Sequence, residues 1–327
     1  MADEPSPPTA VLPLTQKVFW SGTEIASTSF PEIGFLVDKI VAKVGVVLLY
    51  GKYGSYKTPL TIHLAHCVAT GAPFLGLATQ QARVLYIEGD TPMLGIWPRL
   101  QTMNPNTANI DFAFIHPGMN VVSPTTGARN SAICSALAAQ HAEKHYGLVV
   151  IDSLRTSHHM PDKDSEVPSI VYGAFAELFP FASVLIVHHD RKTKVPDGRG
   201  GRRFEPDEET DNESFSGSQA WIDRATTSLK LRRGFSSDRE WISLAQSKSQ
   251  VGTQIEPIQI HVTDGCHFSI PRDISDPDLS AALSTIARHT WRNKNDLDRL
   301  LATHFSIPAK LARARRIEYE SNVSPIR

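Results

Sequence analysis

The chain has few cysteines and no long hydrophobic run. Its three cysteines, Cys67, Cys134 and Cys266, are widely spaced and form neither a Cys-x-x-Cys pair nor a zinc pattern with histidine. We therefore expect free thiols in a reducing compartment and no zinc site. No apolar stretch approaches the roughly 20 residues of a membrane-spanning helix. The start Met-Ala-Asp-Glu-Pro also lacks the features of a signal peptide. These absences predict a soluble, cytoplasmic protein with no membrane partner.

A strong excess of charge is also lacking. The 327 residues contain 33 Lys and Arg against 34 Asp and Glu, a net charge of −1. No overall positive field therefore attracts nucleic acid, and any basic surface has to be local. The hydrophobic content of 41% is enough for a large core, and the length suggests one α/β domain with a small appendage.

One glycine-containing stretch has the layout of a phosphate-binding loop. The apolar run Val46 to Tyr50 leads into Gly51-Lys52-Tyr53-Gly54-Ser55-Tyr56-Lys57-Thr58, and a helical pattern follows. In this layout backbone N–H groups face the phosphates, Lys57 reaches the β- and γ-phosphates, and the Thr58 hydroxyl binds Mg²⁺. The alternative is a glycine turn with a surface lysine. The predicted nucleotide-binding residues are Gly51, Gly54, Ser55, Tyr56, Lys57, Thr58 and Pro59.

Tyr56 departs from the usual motif. The spacing Gly-x4-Gly-Lys-[Ser/Thr] places glycine immediately before the lysine, and this chain has a tyrosine there. We expect looser nucleotide binding as a result. Pro59 falls in the first helical turn, where its missing N–H costs nothing, so the sequence still predicts a helix after the loop.

Apolar runs alternate with helical segments, which predicts a mostly parallel sheet with helices on both faces. Ligands of such sheets bind at the carboxyl ends of the strands. Asp152 ends the run Leu148 to Ile151, as expected for an aspartate that positions Mg²⁺, although a helix N-cap explains the same residue. Four strand ends carry polar clusters: Lys57-Thr58, Glu88 with Asp90, Asp152-Ser153, and His188-His189.

Glu88 and Asp90 are the candidates for the group that orients or deprotonates the attacking water. Strand alternation points both side chains the same way, so the sequence does not choose between them, and both can instead be solvated loop carboxylates. His188-His189 occupies the place of a γ-phosphate-sensing residue. We predict a hydrogen-bonding relay there rather than a zinc site; two imidazoles bonded to backbone are an equally supported alternative.

Taken together, these stretches resemble the RecA-like AAA_25 family of P-loop ATPases. The resemblance rests on the loop Gly-x-x-Gly-Ser-x-Lys-Thr, residues 69–76, 84–90 and 148–154, and Val187-His188-His189, and it runs from about Phe30 to about Ile260. It implies a RecA-type core that binds ATP and Mg²⁺ between the subunits of a homo-oligomer, often a hexameric ring moving along single-stranded DNA. The implied role is a RepA-like replicative helicase or replication-initiation motor of a plasmid, phage or mobile element.

The resemblance also assigns residue roles. Lys57 and Thr58 match the phosphate and magnesium positions, Asp152 the second-motif aspartate, and His189 or His188 the strand-end histidine. The family's catalytic glutamate falls on Asp90, with Glu88 two residues earlier, and the shorter carboxylate predicts slower hydrolysis. The family's Arg-Gly-Ser and Lys-x-Arg sites read Ser-Gly-Ser at 216–218 and Lys-Ser-Gln at 248–250. Arginines that could substitute are Arg199, Arg202, Arg203, Arg224 and Arg232.

Two basic stretches are candidate DNA contacts. The loop 190–214 is basic in its first half and acidic in its second, and the resemblance places its basic half at the DNA-facing loop. A solvated loop with mutually neutralising halves is the alternative. The second stretch lies on the latter of two short predicted helices, which suits a helix-turn-helix or a small subunit-contact or regulatory tail. The candidates are Arg191, Lys192, Arg199, Arg202, Arg203, Lys310, Arg313, Arg315 and Arg316.

We therefore predict an α/β fold in three parts. Residues 1–17 form a disordered Pro-rich arm, and residues 18–271 form a RecA-like P-loop NTPase core whose sheet ends in antiparallel hairpins. Residues 277–327 form a small helical, helix-turn-helix-like domain. The leading function is a Mg²⁺-dependent ATPase acting on DNA. The alternatives are an ATP-dependent DNA-binding switch or loader without unwinding activity, and a nucleotide-free interaction module.

Overall fold

The computed structural model describes residues 21–27, 34–102, 109–115, 131–189, 194–196, 202–204, 218–236, 239–264, 267–269 and 294–305, and also 280, 282–283, 312–313 and 316–317. The chain divides into two units, residues 1–33 and 34–327. In the first unit, α1 (Gly22–Ser27) begins with a reciprocal cap: the Ser21 N–H donates to the Glu24 carboxylate, and the Glu24 N–H donates to Ser21 Oγ. The predicted arm, residues 1–17, lies outside the described residues.

The second unit alternates strands and helices as the apolar pattern predicts. Its strands are β1 (Phe35–Val37), β2 (Val41–Ala42), β3 (Gly45–Gly51), β4 (Val84–Glu88), β5 (Ile110–Phe114), β6 (Leu148–Asp152), β7 (Ser183–His189), β8 (Lys194–Pro196), β9 (Arg202–Phe204), β10 (Thr227–Ser236), β11 (Arg239–Ser249), β12 (Ile258–Asp264) and β13 (His267–Ser269). Its helices are α2 (Lys57–Thr70), α3 (Met93–Thr102), α4 (Ser131–Lys144), α5 (Leu154–Ser157), α6 (Val167–Leu178), α7 (Ala220–Arg224) and α8 (Lys294–Phe305).

Nine strands form the central sheet, in the order β13-β12-β11-β10-β3-β7-β6-β4-β5. Neighbours from β10 to β5 run parallel, and neighbours from β10 to β13 run antiparallel. The prediction of a mostly parallel α/β sheet that ends in antiparallel hairpins is confirmed. The strand order separates β3 from β6 by β7 alone, so the polar ends of these three strands lie side by side.

Both faces of the parallel strands are buried, which explains why their sequences are continuous apolar runs. In β6, Leu148 and Val150 belong to one hydrophobic cluster, and Val149 and Ile151 belong to the other. The first cluster includes residues of α2, and the second includes residues of α6. Alternate side chains of one strand therefore anchor a helix on each face and fix the position of the strand end.

The cysteines and the helix lengths bear on two predictions made from composition. The described cysteines, Cys67 and Cys134, are both buried thiols. Burial raises the pKa of the Cys67 thiol to about 11, so it stays protonated at neutral pH. Within the described ranges, none of the helices is long and apolar enough to cross a membrane.

Candidate functional site

The phosphate loop connects the end of β3 to the start of α2. Gly51 ends β3 against Leu231 of β10, where a β-carbon on Gly51 would come within 2.3 Å of the Leu231 carbonyl oxygen. Only glycine therefore fits at this close approach. Gly54 has a φ of 78°, and Tyr56 caps α2 with φ 65° and ψ 25°, so the loop contains two left-handed residues. The tyrosine adopts the backbone conformation for which glycine is usual at its position.

Lys57 lies inside the loop. Its side chain is buried, and its ammonium donates hydrogen bonds to the carbonyl oxygens of Gly51 (2.8 Å) and Lys52 (2.7 Å). Ser55 Oγ donates to the same Lys52 oxygen at 2.8 Å. The positive charge is thus held at the centre of the loop, where an anion bound by the loop's N–H groups would meet it.

Thr58 and Asp152 form the second part of the site. Asp152, at the end of β6, is 3% exposed and accepts hydrogen bonds from the Thr58 side chain and from the Tyr86 hydroxyl, the latter at 2.9 Å. Burial nevertheless raises the pKa of Asp152, and the two hydrogen bonds oppose that shift. The predicted magnesium ligands, one on α2 and one on β6, are therefore in direct contact.

This donor set fits Mg²⁺. A buried carboxylate beside a hydroxyl offers the oxygen ligands that the ion prefers, and protein sites usually supply one or two side chains while water and phosphate supply the rest. The described residues contain no cluster of three or more His, Cys, Asp and Glu side chains able to hold a metal. Nearby, Glu88 Oε2 is buried and accepts no hydrogen bond from the described residues. One oxygen of the Glu88 carboxyl group, on the strand position paired with Asp152, thus has no hydrogen bond from the described residues.

Glu88 and Asp90 differ in their surroundings. β4 ends at Glu88, so Asp90 lies beyond the strand, and the alternation that the sequence suggested does not extend to it. Glu88 is 1% exposed, and its Oε1 accepts the backbone N–H groups of Asp90 (2.9 Å) and Thr91 (2.8 Å). Burial and the neighbouring Asp152 charge raise the pKa of Glu88 to about 8. Glu88 therefore keeps a proton to higher pH than an ordinary carboxyl group, and its Oε1 holds the turn that presents Asp90.

Asp90 remains ionised and accessible. Its Oδ2 accepts a hydrogen bond from Ser153 Oγ at 2.8 Å and lies 3.7 Å from His189 Nε2. The nearby His189 ring, together with the hydrogen bond from Ser153, lowers the pKa of Asp90 below its usual value of 3.8. Of the two carboxylates, Asp90 has the charge and the exposure that an attacking water requires.

His188 and His189 point to opposite sides of β7, as strand alternation requires. The His189 ring lies near Asp90 and 6.2 Å from the ring of Tyr53 in the phosphate loop. His188 is buried, and its ring lies 6.3 Å from that of Trp221 in the core. The geometry therefore favours His189 for the relay and gives no support to a catalytic role for His188, because its imidazole faces away from Asp90.

Two site residues were missed in the sequence. The Tyr86 hydroxyl links Asp152 to Thr61 Oγ1, which lies 2.9 Å away. A tyrosine inside the apolar run of β4 was the available signal, since a buried hydroxyl requires a partner. Arg233 Nη1 donates to the Gly54 carbonyl oxygen at 2.8 Å. No local pattern identifies Arg233, because β10 pairs with β3 across a long stretch of chain.

The predicted DNA contacts are described only in part. Arg202 and Arg203 lie on β9, which pairs with β8, and Arg313 is exposed. Arg191, Lys192, Arg199, Lys310 and Arg315 lie outside the described residues. The prediction for Arg316 is corrected: it is 2% exposed, and its Nε donates to Asp298 Oδ1 at 2.6 Å. A buried guanidinium already paired with a carboxylate is not available to a DNA phosphate.

The arginines that could substitute for those of the family's Arg-Gly-Ser and Lys-x-Arg sites have differing surroundings. Arg224 is exposed on α7, and Arg232 is half-buried on β10. Lys248, the one residue retained from the Lys-x-Arg site, donates to the carbonyl oxygens of Ile222 and Asp223 and so caps α7. The ammonium of Lys248 thus stabilises a helix end of its own chain.

A phosphate loop after β3 and a buried aspartate at the end of β6, with a single strand between β3 and β6, define a P-loop nucleotide-binding protein. The AAA_25 family, described as an AAA domain, matches residues 13–195, which is more than half of the chain and includes the loop, Asp152 and His189. The chain therefore belongs to the AAA_25 family of RecA-like P-loop ATPases.

Two other comparisons complete these findings. Among solved structures, the chain is similar to the flagellar accessory protein FlaH from Methanocaldococcus jannaschii, with 9% sequence identity and a TM-score of 0.45. That similarity covers 69% of this chain and 88% of that chain. No curated protein matches the sequence.

Proposed function

We propose that this protein is a Mg²⁺-dependent ATPase that acts on DNA. The observation that carries the proposal is the contact between Thr58 and Asp152, formed directly beside the helix start that holds Lys57. One structural unit thus supplies a cation for the phosphates and oxygen ligands for a metal ion. The AAA_25 family supports the assignment to ATPases.

The residues divide the reaction between them. Loop N–H groups and Lys57 bind the β- and γ-phosphates, and Asp90 orients the attacking water through its ionised carboxylate. Water attacks the γ-phosphorus, the bond to the β-phosphate oxygen breaks, and the water proton passes by way of Asp90 to solvent. Mg²⁺ bound at Thr58 and Asp152 would neutralise the charge of the phosphate oxygens. His189 holds Asp90 in place beside Ser153.

DNA is the proposed partner because basic residues follow the site in the chain. β9, which carries Arg202 and Arg203, comes after β7, whose last residue is His189. A DNA phosphate bound to Arg202 or Arg203 would lie on a segment that follows His189 in the chain. Arginines are suitable phosphate ligands. The finer proposal is a RepA-like replicative helicase or replication-initiation motor, assembled as a homo-oligomer such as a hexameric ring on single-stranded DNA.

A second function is favoured by Glu88 and Asp90, the two candidates for orienting the attacking water. The raised pKa of Glu88 disfavours its charged form, and Asp90 is a weak base because its pKa is lowered. Slow hydrolysis suits an ATP-dependent DNA-binding switch or loader, in which nucleotide controls assembly rather than unwinding. A strand-displacement assay separates the two functions: steady ATP-driven unwinding supports the motor, and turnover without unwinding supports the switch.

ATP turnover with and without single-stranded DNA tests the proposal. The wild-type protein should hydrolyse ATP only with Mg²⁺ present and faster with DNA. Lys57→Ala should lose at least a hundredfold in turnover, while the surface control Lys163→Ala should retain it. Absence of hydrolysis with DNA present, together with unchanged nucleotide affinity in Lys57→Ala, would overturn the proposal.

A further inference from the structure

The phosphate loop contains a left-handed residue that is not glycine. Tyr56 has φ 65° and ψ 25°, and Gly54, two residues earlier, has φ 78°. A glycine adopts this region freely, whereas in other residues the β-carbon crowds the backbone. The surrounding structure must therefore stabilise the conformation at Tyr56.

Arg233 contacts both left-handed residues. Its Nη1 donates to the Gly54 carbonyl oxygen at 2.8 Å, and its guanidinium carbon lies 5.0 Å from the centre of the Tyr56 ring. The first contact is a charge-assisted hydrogen bond, and the second is a cation–π interaction. One guanidinium thus links the two residues whose backbone conformations shape the loop.

The sheet places Arg233 at this position. β10 runs parallel to β3, and Leu231 pairs with Gly51, the last residue of β3. Arg233 lies two residues beyond Leu231 on the same face of the strand, so its side chain extends past the end of β3 to the loop. On β13, Phe268 meets the Tyr56 ring edge-on, with 6.5 Å between centroids. Strands β10 and β13 therefore supply one contact each to the Tyr56 ring.

We propose that Arg233 is a positioning residue for nucleotide phosphate. It holds Gly54 and Tyr56 in the left-handed conformation that turns the loop's N–H groups towards the polyphosphate of a nucleoside di- or triphosphate. Through this contact the chain functions with a tyrosine where the motif normally has glycine. The inference rests on the proposed nucleotide-binding function. Because Arg233 contacts the loop's own carbonyl and ring, its effect on the ligand is exerted through the loop.

A comparison of two backgrounds tests the proposal. Calorimetric titration with Mg²⁺–ADP is carried out on wild type, Arg233→Ala, Tyr56→Gly and the double variant Tyr56→Gly/Arg233→Ala. We expect Arg233→Ala to raise the Kd about tenfold in the tyrosine background. In the glycine background the same change should raise the Kd less than twofold, because glycine adopts the left-handed conformation without support.

Two further variants control the interpretation. Arg233→Lys keeps the charge but loses the planar face and the forked donors, so we expect an intermediate Kd. Lys230→Ala removes a cation from the same strand and should change the Kd less than twofold. If Arg233→Ala does not fold, as judged by thermal unfolding without nucleotide, Arg233→Lys is compared in the two backgrounds instead.

The outcomes separate the inference from the function it rests on. Equal losses of affinity in the tyrosine and glycine backgrounds would overturn the positioning role, since they indicate that Arg233 acts on the ligand independently of Tyr56. Unchanged affinity in the tyrosine background would overturn it as well. Wild-type protein that does not bind Mg²⁺–ADP would instead overturn the proposed nucleotide function and, with it, this inference.

Discussion

The Asp90 carboxylate and the His189 ring meet across the end of β6, with Oδ2 and Nε2 3.7 Å apart. Ser153, the residue after β6, donates a hydrogen bond to the same Oδ2 at 2.8 Å. Three neighbouring strand ends, of β4, β6 and β7, are thereby joined at one carboxylate oxygen. A change on β7, next to the phosphate-loop strand, can therefore alter the position of Asp90.

Replacing His189 tests this link. In His189→Ala we expect kcat for ATP to fall about tenfold to a hundredfold with KM changed less than twofold, because Asp90 loses the partner that orients it. His189→Gln retains a hydrogen-bond donor and should retain most of the activity. Steady-state kinetics of the two variants measure the difference. Equal losses in both, or a large rise in KM, would contradict the orienting role.

The lowered pKa of Asp90 has a direct consequence for acid stability. An acid whose folded pKa is lowered contributes stability that is present above the unfolded pKa and is lost as pH falls through the folded value. We therefore expect Asp90→Asn to be less stable than wild type at pH 6, and we expect the difference to disappear as pH falls below the usual value of 3.8. Urea unfolding at a series of pH values measures it. A difference that does not change with pH would be inconsistent with the shift.

Glu88 predicts the opposite dependence on pH. Its folded pKa is raised from the ordinary 4.5 to about 8, so between these two pH values the folded chain keeps a proton that the unfolded chain releases. Stability from this group is fully present below pH 4.5 and is lost as pH rises to about 8. Glu88→Gln should therefore reduce the decline in Tm between pH 5 and 8 by several degrees. The Tm of wild type and variant across this range is the measurement, and parallel curves would refute the prediction.

Tyr86 predicts a change in metal dependence. Tyr86→Phe removes the hydroxyl that donates to Asp152 and keeps the ring that packs near Phe112. Losing one hydrogen bond of about 1 kcal/mol leaves Asp152 less well oriented. We expect the Mg²⁺ concentration for half-maximal ATPase activity to rise about threefold to tenfold. A titration of activity with Mg²⁺ measures the change, and an unchanged midpoint would show that Tyr86 has only a structural role.

The C-terminal segment offers a matched pair of arginines. Arg316 is buried against Asp298, so Arg316→Ala leaves an uncompensated charge and should destabilise the segment by roughly 3 kcal/mol or more. Arg313 is exposed, and Arg313→Ala should leave stability unchanged while reducing DNA affinity. The slope of log affinity against log salt concentration should become less steep by about 1. Hydrogen exchange and DNA titrations at several salt concentrations measure the two effects. Equal effects of both variants on stability would contradict the assignment.

The sequence predicted those parts of the site that depend on local pattern. Lys57 and Thr58 follow from the loop motif, and Asp152 follows from the end of an apolar strand. The choice between Glu88 and Asp90 depends on where β4 ends and on which neighbours bury each carboxylate, and neither is encoded locally. Arg233 reaches the loop only through the pairing of β10 with β3. Arg316 was assigned to DNA because basic residues on a short helix do not reveal which one faces inward.

The central claim is that Lys57, Thr58 and Asp152 form one site for nucleotide and metal. Calorimetric titration of ADP into wild type and Asp152→Asn, each with and without Mg²⁺, tests it most directly. We predict that Mg²⁺ raises the affinity of wild type for ADP at least tenfold and that this gain disappears in Asp152→Asn, while the affinity without Mg²⁺ is similar in both. An equal gain from Mg²⁺ in the two proteins would contradict the claim.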